Sequence, residues 1–415
     1  MNKKPCIAVV GAGASGLMAA VWAARTAEDL RKQVKILLLE GNPRVGKKLL
    51  ATGNGRCNLT NLNMNDGFYF GSKETFGAVY PQFDSKALIS FFADAGMAVR
   101  SDHAGRVYPL SNQASSVLDT LRYETERLGV ETVTDTKITD IKRSGGGFIL
   151  NDLYYADKVI LACGGKASPV HGSDGSGYTL LKSLGIAVTD VFPALTALHI
   201  KDFTKSLKGI RAEGLITVRE NGKILASSTG ELQYTDYGIS GIPAMQVSRA
   251  VSEALYSGRC NEMTVAADSV PGMSTGELTA FLKNIIEKNP SFPCEMLLAG
   301  LMPKRLGAFL LTEVSINPSK PLKTVNGGAL EKIVSAVKNK KYRVDSVKGF
   351  ADAQVTAGGA DMSGFVADTL ESKKIKGLYV CGELADVDGD CGGYNLQWAF
   401  SSGFTAGVNA VREIK

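Results

Sequence analysis

Residues 6–40 read CIAVVGAGASGLMAAVWAARTAEDLRKQVKILLLE, and this stretch decides which fold the chain can have. CIAVV is a short, wholly apolar run of the kind that forms a strand buried on both faces of a parallel sheet. Gly11-x-Gly13-x-x-Gly16 follows at once, then an alanine-rich helical run, then a second apolar run that closes on Glu40. Strand, glycine turn, helix and strand make a complete βαβ unit. Gly11 permits the tight turn, Gly13 lets backbone approach a pyrophosphate, and Gly16 lets helix and strand pack closely. Ala14 and Ser15 open the helix, where unpaired N–H groups and the helix dipole favour an anion. Glu40 ends the second strand, placed to accept hydrogen bonds from ribose hydroxyls. An acid there disfavours a 2′-phosphate and leaves FAD and NAD as candidates.

The rest of the composition agrees with an ordinary soluble globular protein. At 415 residues, 44% apolar and 21% charged, the chain is long enough for two or three domains. Its 46 glycines exceed the ordinary share of about 7%, which points to tight turns and close backbone approaches. A net charge of +6 permits an anionic partner, a dinucleotide or RNA, without requiring one. The seven cysteines (6, 57, 163, 260, 294, 381, 391) contain no C-x-x-C pair, which argues for reduced thiols over a disulfide framework or a zinc site. The three histidines (103, 171, 199) lack metal-ligand spacing, so no metal is expected. MNKK followed by an apolar run could pass for a signal peptide, but the glycine spacing explains it better. No 18-residue apolar span occurs later, so a cytoplasmic protein away from membranes is expected.

Further along, KVILACGG is again a buried strand opening into glycines, Gly164 among them. After Phe192-Pro193 the pattern alternates in strand fashion, with Asn221-Gly222 marking a hairpin, and residues 274–340 then turn helical. Past Phe350 the glycine-rich style returns, and GLYVCGELADVDGDCGGYNLQWAF repeats the logic of the start: strand, glycine-acid loop, helix. One nucleotide-binding domain made from both ends of the chain, interrupted by an insert, is the simplest reading. The late Gly382-Glu383 turn suits the ribityl chain and pyrophosphate of FAD. A helix beginning after Gly392-Gly393 would point N–H groups at the flavin N1–C2=O edge. No second GxGxxG follows a mid-chain strand, so NAD(P)H would dock transiently rather than in a domain of its own, or another donor serves.

The motifs GKKLLATGNGRCNLTN (46–61), KVILACGGKASP with HGSDGSGY, GELQYTDYGISGIP, VTAGGADM and GLYVCGELADVDGDCGGYNLQWAFSSG occur in this order. Together they resemble the HI0933-like flavoprotein family over nearly the whole chain. The resemblance implies an α/β fold: a discontinuous Rossmann-type FAD-binding domain (1–192 plus 346–415), an inserted β-barrel-like domain (193–273 plus 321–345) and a small helical subdomain (274–320). It implies that Gly53, Asn54, Arg56, Cys57 and Asn58 lie against FAD, with Lys47 near its phosphates. Gly164, Gly382, Glu383, Asp388, Gly393, Asn395 and Leu396 complete the implied cofactor set.

The activity implied is reduction of a C=C bond conjugated to a carbonyl, with hydride from flavin N5 and NAD(P)H as reductant. Uridine in large-subunit rRNA and a 3-oxo-Δ4 steroid or bile-acid-like enone present the same electronic problem, so both stand as substrates. An FAD amine oxidase using O2 and a non-catalytic flavin-binding protein are the alternatives. Cys57 is a candidate acid for the second carbon, or a small residue packed against the cofactor. Cys391 and Asp236 are further catalytic candidates: Cys391 stands where the family often has threonine and Asp236 where it often has histidine, and Asp236 could donate a proton only if burial raised its pKa. Tyr234 and Tyr237 are possible donors to a substrate carbonyl. KNKKYR (338–343) and the group Lys201, Lys205, Lys208 and Arg211 could meet RNA phosphates or be solvated surface.

Overall fold

The computed structural model describes residues 4–258 and 262–414, so Cys260 lies outside the described residues. Two compact units are present, Met1–Phe192 with Gln354–Lys415, and Pro193–Ala353. In the first, β1 (Cys6–Val10) is buried at all five positions and leads into α1 (Ala14–Asp29), β2 (Lys35–Leu39) and the short α2 (Lys47–Ala51). α3 (Ala114–Arg127), β3 (Glu131–Val133) and β4 (Lys158–Leu161) follow.

The second unit carries β5 (Leu198–Ile200), β6 (Arg211–Glu220), β7 (Lys223–Tyr234), β8 (Gly238–Ser240), α4 (Ile242–Tyr256) and β9 (Met263–Asp268). α5 (Thr275–Lys288), α6 (Lys304–Glu313), α7 (Gly327–Lys338) and β10 (Lys340–Val347) complete it. Its six strands close into an antiparallel barrel in the order β5-β8-β7-β6-β9-β10. The β6–β7 hairpin turns at Asn221-Gly222 with φ of 47° and 82°, the left-handed pair that matches the twist of the flanking strands. β9 alternates buried and half-buried residues, as a barrel wall must. The Ser274–Glu277 capping box starts α5, and the Asn326 side chain caps α7 by accepting from the Ala329 N–H. Helix therefore extends to Lys338, through much of the 321–345 segment read above as β-rich. β10 runs to Val347, so residues 346–353 sit with the barrel unit.

The chain returns to the first unit with β11 (Leu378–Val380) and α8 (Tyr394–Arg412). The sheet order is β11-β4-β1-β2-β3, parallel throughout. The order runs outward in both directions from β1 and β4. Ligands of open parallel sheets bind beyond the carboxyl ends of strands at such a reversal. α1 and α8 pack closely because Gly403 and Gly407 face α1: a Cβ on Gly403 would stand 2.4 Å from the Ser15 carbonyl oxygen. Among the described residues no helix is long and apolar enough to cross a membrane. No group of three or more His, Cys, Asp or Glu side chains among them is arranged to hold a metal.

Candidate functional site

The crevice beyond β1 and β4 is lined first by the glycine turn. Gly11 has φ of +100°, and a Cβ there would lie 2.5 Å from the Ala162 carbonyl oxygen on the neighbouring strand. A Cβ on Gly16 would lie 1.8 Å from the Gly11 carbonyl oxygen, so only glycine lets α1 leave the turn at this angle. Gly13 differs: a Cβ there would meet nothing within 4 Å. Its face is open, at the helix N-terminus where a phosphate belongs. Ala14 beside it is half-buried, while Ser15 is buried beneath the turn.

Glu40 ties this turn to β2. One carboxylate oxygen accepts from the Ala12 N–H at 2.9 Å, and the other from the Asn42 N–H and side-chain amide at 2.8 and 2.7 Å. Each oxygen has two lone pairs, so capacity remains for a ribose hydroxyl. Lys47 donates to the Asn42 Oδ1 at 3.2 Å, which sets it at this ribose end of the crevice. From the β4 side, Gly164 reaches over at φ of +71°, beside a buried Ser173 hydroxyl that has no hydrogen-bond partner.

At the late turn, Gly382 sits on α1 with its N–H donating to the Ser402 hydroxyl at 2.8 Å, and the Trp398 indole N–H donates to its carbonyl at 2.9 Å. Glu383 accepts from the Thr356 N–H at 2.9 Å and pairs with Lys48 at 2.6 Å, both side chains mostly buried. Lys48 is the crevice residue that sequence reading missed. The adjacent Lys47 carries the same signal, and only the facing of α2 separates them. Asp388 is 2% exposed and lies on the Val387–Gly389 strand. Asn395 bonds that strand from both ends of its amide, accepting from the Gly389 N–H and donating to the Gly389 carbonyl. Its side chain thus braces the loop before α8, and Leu396 is half-buried behind it. Gly393 caps α8 at φ of +101°, and a Cβ there would lie 2.7 Å from Asn58 Oδ1, a buried oxygen with no hydrogen-bond partner.

The loop from Thr52 to Asn58 passes through left-handed backbone at Gly53, Asn54, Gly55 and Cys57. Gly53, Asn54 and Arg56 are exposed and Asn58 half-buried. Cys57 is not: it is 0% exposed, and burial pushes its thiol up to about 12, against a weaker opposing hydrogen bond to Thr52. Enclosed by protein, its thiol presents no accessible surface in this structure, which argues against the acid role read for it above. An alkylating reagent at pH 8 is therefore expected to leave Cys57 unmodified by peptide mapping until the protein is unfolded. Rapid labelling of the folded protein would contradict this burial. Cys391 is half-buried beside Gly392, its thiol also raised by burial.

Asp236 belongs to the barrel unit. Its carboxylate is exposed, and its hydrogen bond from Lys208 at 2.8 Å, followed by its own backbone N–H, holds it below the usual carboxylate range. The raised pKa that a proton donor needs is absent, so Asp236 stays ionised at neutral pH. Tyr234 is 2% exposed in the barrel interior. Tyr237 is half-buried, with the Lys348 ammonium 4.2 Å from its ring centroid. Half of the cations read as RNA contacts have carboxylate partners. Lys338 pairs with Asp268, Lys340 with Glu313, Lys208 with Asp236 and Arg211 with Glu231. These pairs lower the net positive charge that the two patches present to a phosphate backbone.

The first unit thus offers an open helix N-terminus for a pyrophosphate, a carboxylate for a ribose, and two unpartnered buried oxygens at the crevice. These features fit a dinucleotide. Residues 5–409 match the family described as HI0933-like protein Rossmann domain. The 3-dehydro-bile acid delta(4,6)-reductase of Clostridium scindens is 41% identical over 407 residues, covering 97% of this chain and 98% of that protein. The ribosomal RNA dihydrouridine synthase of Escherichia coli is 26% identical over 411 residues, covering 97% of each. Among solved structures, the open conformation of a flavocytochrome c3 fumarate reductase aligns with a TM-score of 0.48 at 15% identity, covering 99% of this chain and 78% of that one.

Proposed function

The chain belongs to the HI0933-like family, and from that premise we propose that it is an FAD-dependent oxidoreductase that reduces a C=C bond conjugated to a carbonyl in a small apolar molecule. The observation that carries the substrate class is the 41% identity, over 97% of the chain, to a protein named as a bile-acid reductase. FAD supplies the hydride that such a bond accepts at its β-carbon. The protein's residues bind and orient. The N-terminus of α1 at Gly13 and Ala14 takes the pyrophosphate, and Glu40 with Asn42 takes the ribose. The Gly382-Glu383 turn, braced by Trp398, Ser402 and Lys48, holds the middle of the cofactor. The α8 N-terminus at Gly393 sets partial positive charge at the far end of the crevice. NAD(P)H is the proposed electron source: the nicotinamide is oxidised, the C=C bond is reduced, and the second hydrogen arrives as a proton from solvent.

The test is anaerobic. The purified holoprotein is reduced, and flavin absorbance is followed after adding a 3-oxo-Δ4 steroid, an unmodified large-subunit rRNA transcript, or air. Rapid reoxidation by the enone, with the saturated product found by mass spectrometry, is the expected result. Reoxidation by RNA with dihydrouridine formed, or no reoxidation by the enone while an added amine is turned over in air with peroxide formed in step, would overturn it.

A further inference from the structure

Lys48 and Glu383 meet across the carboxyl ends of the parallel sheet. Lys48 stands on α2, which follows β2, and Glu383 follows β11. β2 and β11 lie on opposite sides of β4 and β1, three strand spacings or about 14 Å apart. The ammonium and a carboxylate oxygen close that gap at 2.6 Å, with side chains 25% and 20% exposed. Each end is also fixed to the start of α1. Gly46, two residues before Lys48, donates its N–H to the Ala12 carbonyl at 2.8 Å. Gly382, beside Glu383, abuts Ser15: a Cβ there would lie 2.3 Å from the Ser15 hydroxyl oxygen. Gly13 and Ala14, at the helix N-terminus, stand between those two anchors in the chain.

Glu383 is an unfavourable neighbour for an anion, and it is held in place. Its other oxygen accepts from the Thr356 N–H at 2.9 Å, and the Thr356 hydroxyl accepts in turn from the Lys166 and Ala167 N–H groups at 2.7 and 2.9 Å. Gly165 permits this packing, since a Cβ there would lie 2.6 Å from the same carboxylate oxygen. The charge is felt nearby: the Tyr178 phenol is raised first by burial and then by Glu383. A carboxylate so placed repels a pyrophosphate at the α1 N-terminus, and the roughly +0.5 charge of a helix end is too small to cancel it. Lys48 carries a full charge. Among the described residues it donates to Glu383 alone, which leaves two of an ammonium's three N–H donors for a ligand. Lys47, one residue earlier, is turned to Asn42 instead.

We propose that Lys48 neutralises Glu383 for the pyrophosphate of FAD, so that the cofactor binds beside a carboxylate that would otherwise repel it. The inference rests on FAD as the cofactor named above. Release of FAD from the purified holoprotein, followed by flavin fluorescence on dilution, tests it. Lys48→Met is expected to weaken FAD retention about tenfold, because Glu383 is left unpaired beside the ligand. Adding Glu383→Gln to Lys48→Met should recover most of that loss, and Lys48→Arg alone should hold FAD nearly as the wild type does. A brace without an electrostatic role predicts the opposite for the double variant, which would release FAD at least as fast as Lys48→Met. The pyrophosphate keeps its charge when the flavin is reduced, so the midpoint potential of the bound flavin should be unchanged in Lys48→Met. Wild-type retention in Lys48→Met, a double variant no better than the single one, or a shifted potential would overturn the proposal. Wild-type protein that purifies without flavin would remove the cofactor reading as well, whereas failure confined to the variants leaves that reading standing. Retention is measured without turnover, so it is also separate from the outcome of the enone reduction.

Discussion

Gly16→Ala is expected to yield protein that purifies with little or no flavin and melts well below the wild type. The added methyl would stand 1.8 Å from the Gly11 carbonyl oxygen, inside any tolerable contact, and the obstacle is backbone rather than a side chain that can swing away. Forcing a group into a filled space costs about 1–3 kcal/mol, and an unyielding obstacle belongs at the upper end. For a unit of this size that is roughly a 5–10 °C drop in melting temperature. Relief comes only if α1 moves off the turn, which takes its N-terminal N–H groups away from the pyrophosphate. Gly13→Ala is the matched control. Its Cβ has open space and its φ of −81° suits any residue, so the melting temperature should hold. The methyl would nevertheless fill the approach reserved for the ligand, and flavin content should fall. Flavin absorbance per protein and a thermal melt on both variants decide the matter. A Gly16→Ala protein with full flavin content, or a Gly13→Ala protein that binds FAD as tightly as wild type, would remove the pyrophosphate from this turn.

The second large effect is expected at Trp398, which sits far from the glycine turn in sequence but under the same crevice. Its side chain is 1% exposed and its indole N–H donates to the Gly382 carbonyl at 2.9 Å. Trp398→Ala should cost about 3–5 kcal/mol of stability in denaturant unfolding, from lost packing and the cavity left behind. Trp398→Phe keeps most of the volume and isolates the hydrogen bond, whose loss costs only about 0.5–1.5 kcal/mol because the Gly382 carbonyl still accepts from the Ala385 N–H. Both variants should also weaken FAD, because the Gly382-Glu383 turn loses a brace. An alanine variant within 1 kcal/mol of wild type would show that α8 does not support the turn through this side chain.

The barrel was legible in outline and not in detail. Alternation and the Asn-Gly turn announced the β6–β7 hairpin because both are local signals. Closure is not local: β5 pairs with β10 across well over a hundred residues, and no residue pattern states that register. The same contrast holds in the candidate site. Lys47 and Lys48 are adjacent and chemically identical in the sequence. One meets Asn42 five residues away; the other meets Glu383, 335 residues away, and becomes the mostly buried partner of a cofactor-turn carboxylate. Cys57 read as a candidate acid in the loop implied to line the cofactor. Its enclosure depends on what packs over that loop, and that is invisible in the loop itself. Asp236 looked like a replacement for a histidine until Lys208, 28 residues earlier, was found holding it ionised.

The sequence by itself determined the βαβ unit, the glycine geometry of its turn, the acid at the end of β2 and the return of the chain for a late strand and helix. Each follows from residue types within a few positions of one another, where backbone sterics and hydrogen-bonding rules act directly. Only the tertiary structure decided which thiol is sealed, which carboxylate stays charged, which lysine faces the crevice, and that Lys48 and Glu383 meet across the sheet. Those outcomes depend on burial and on charges brought within a few ångströms from distant parts of the chain, and both are properties of packing that no local pattern contains.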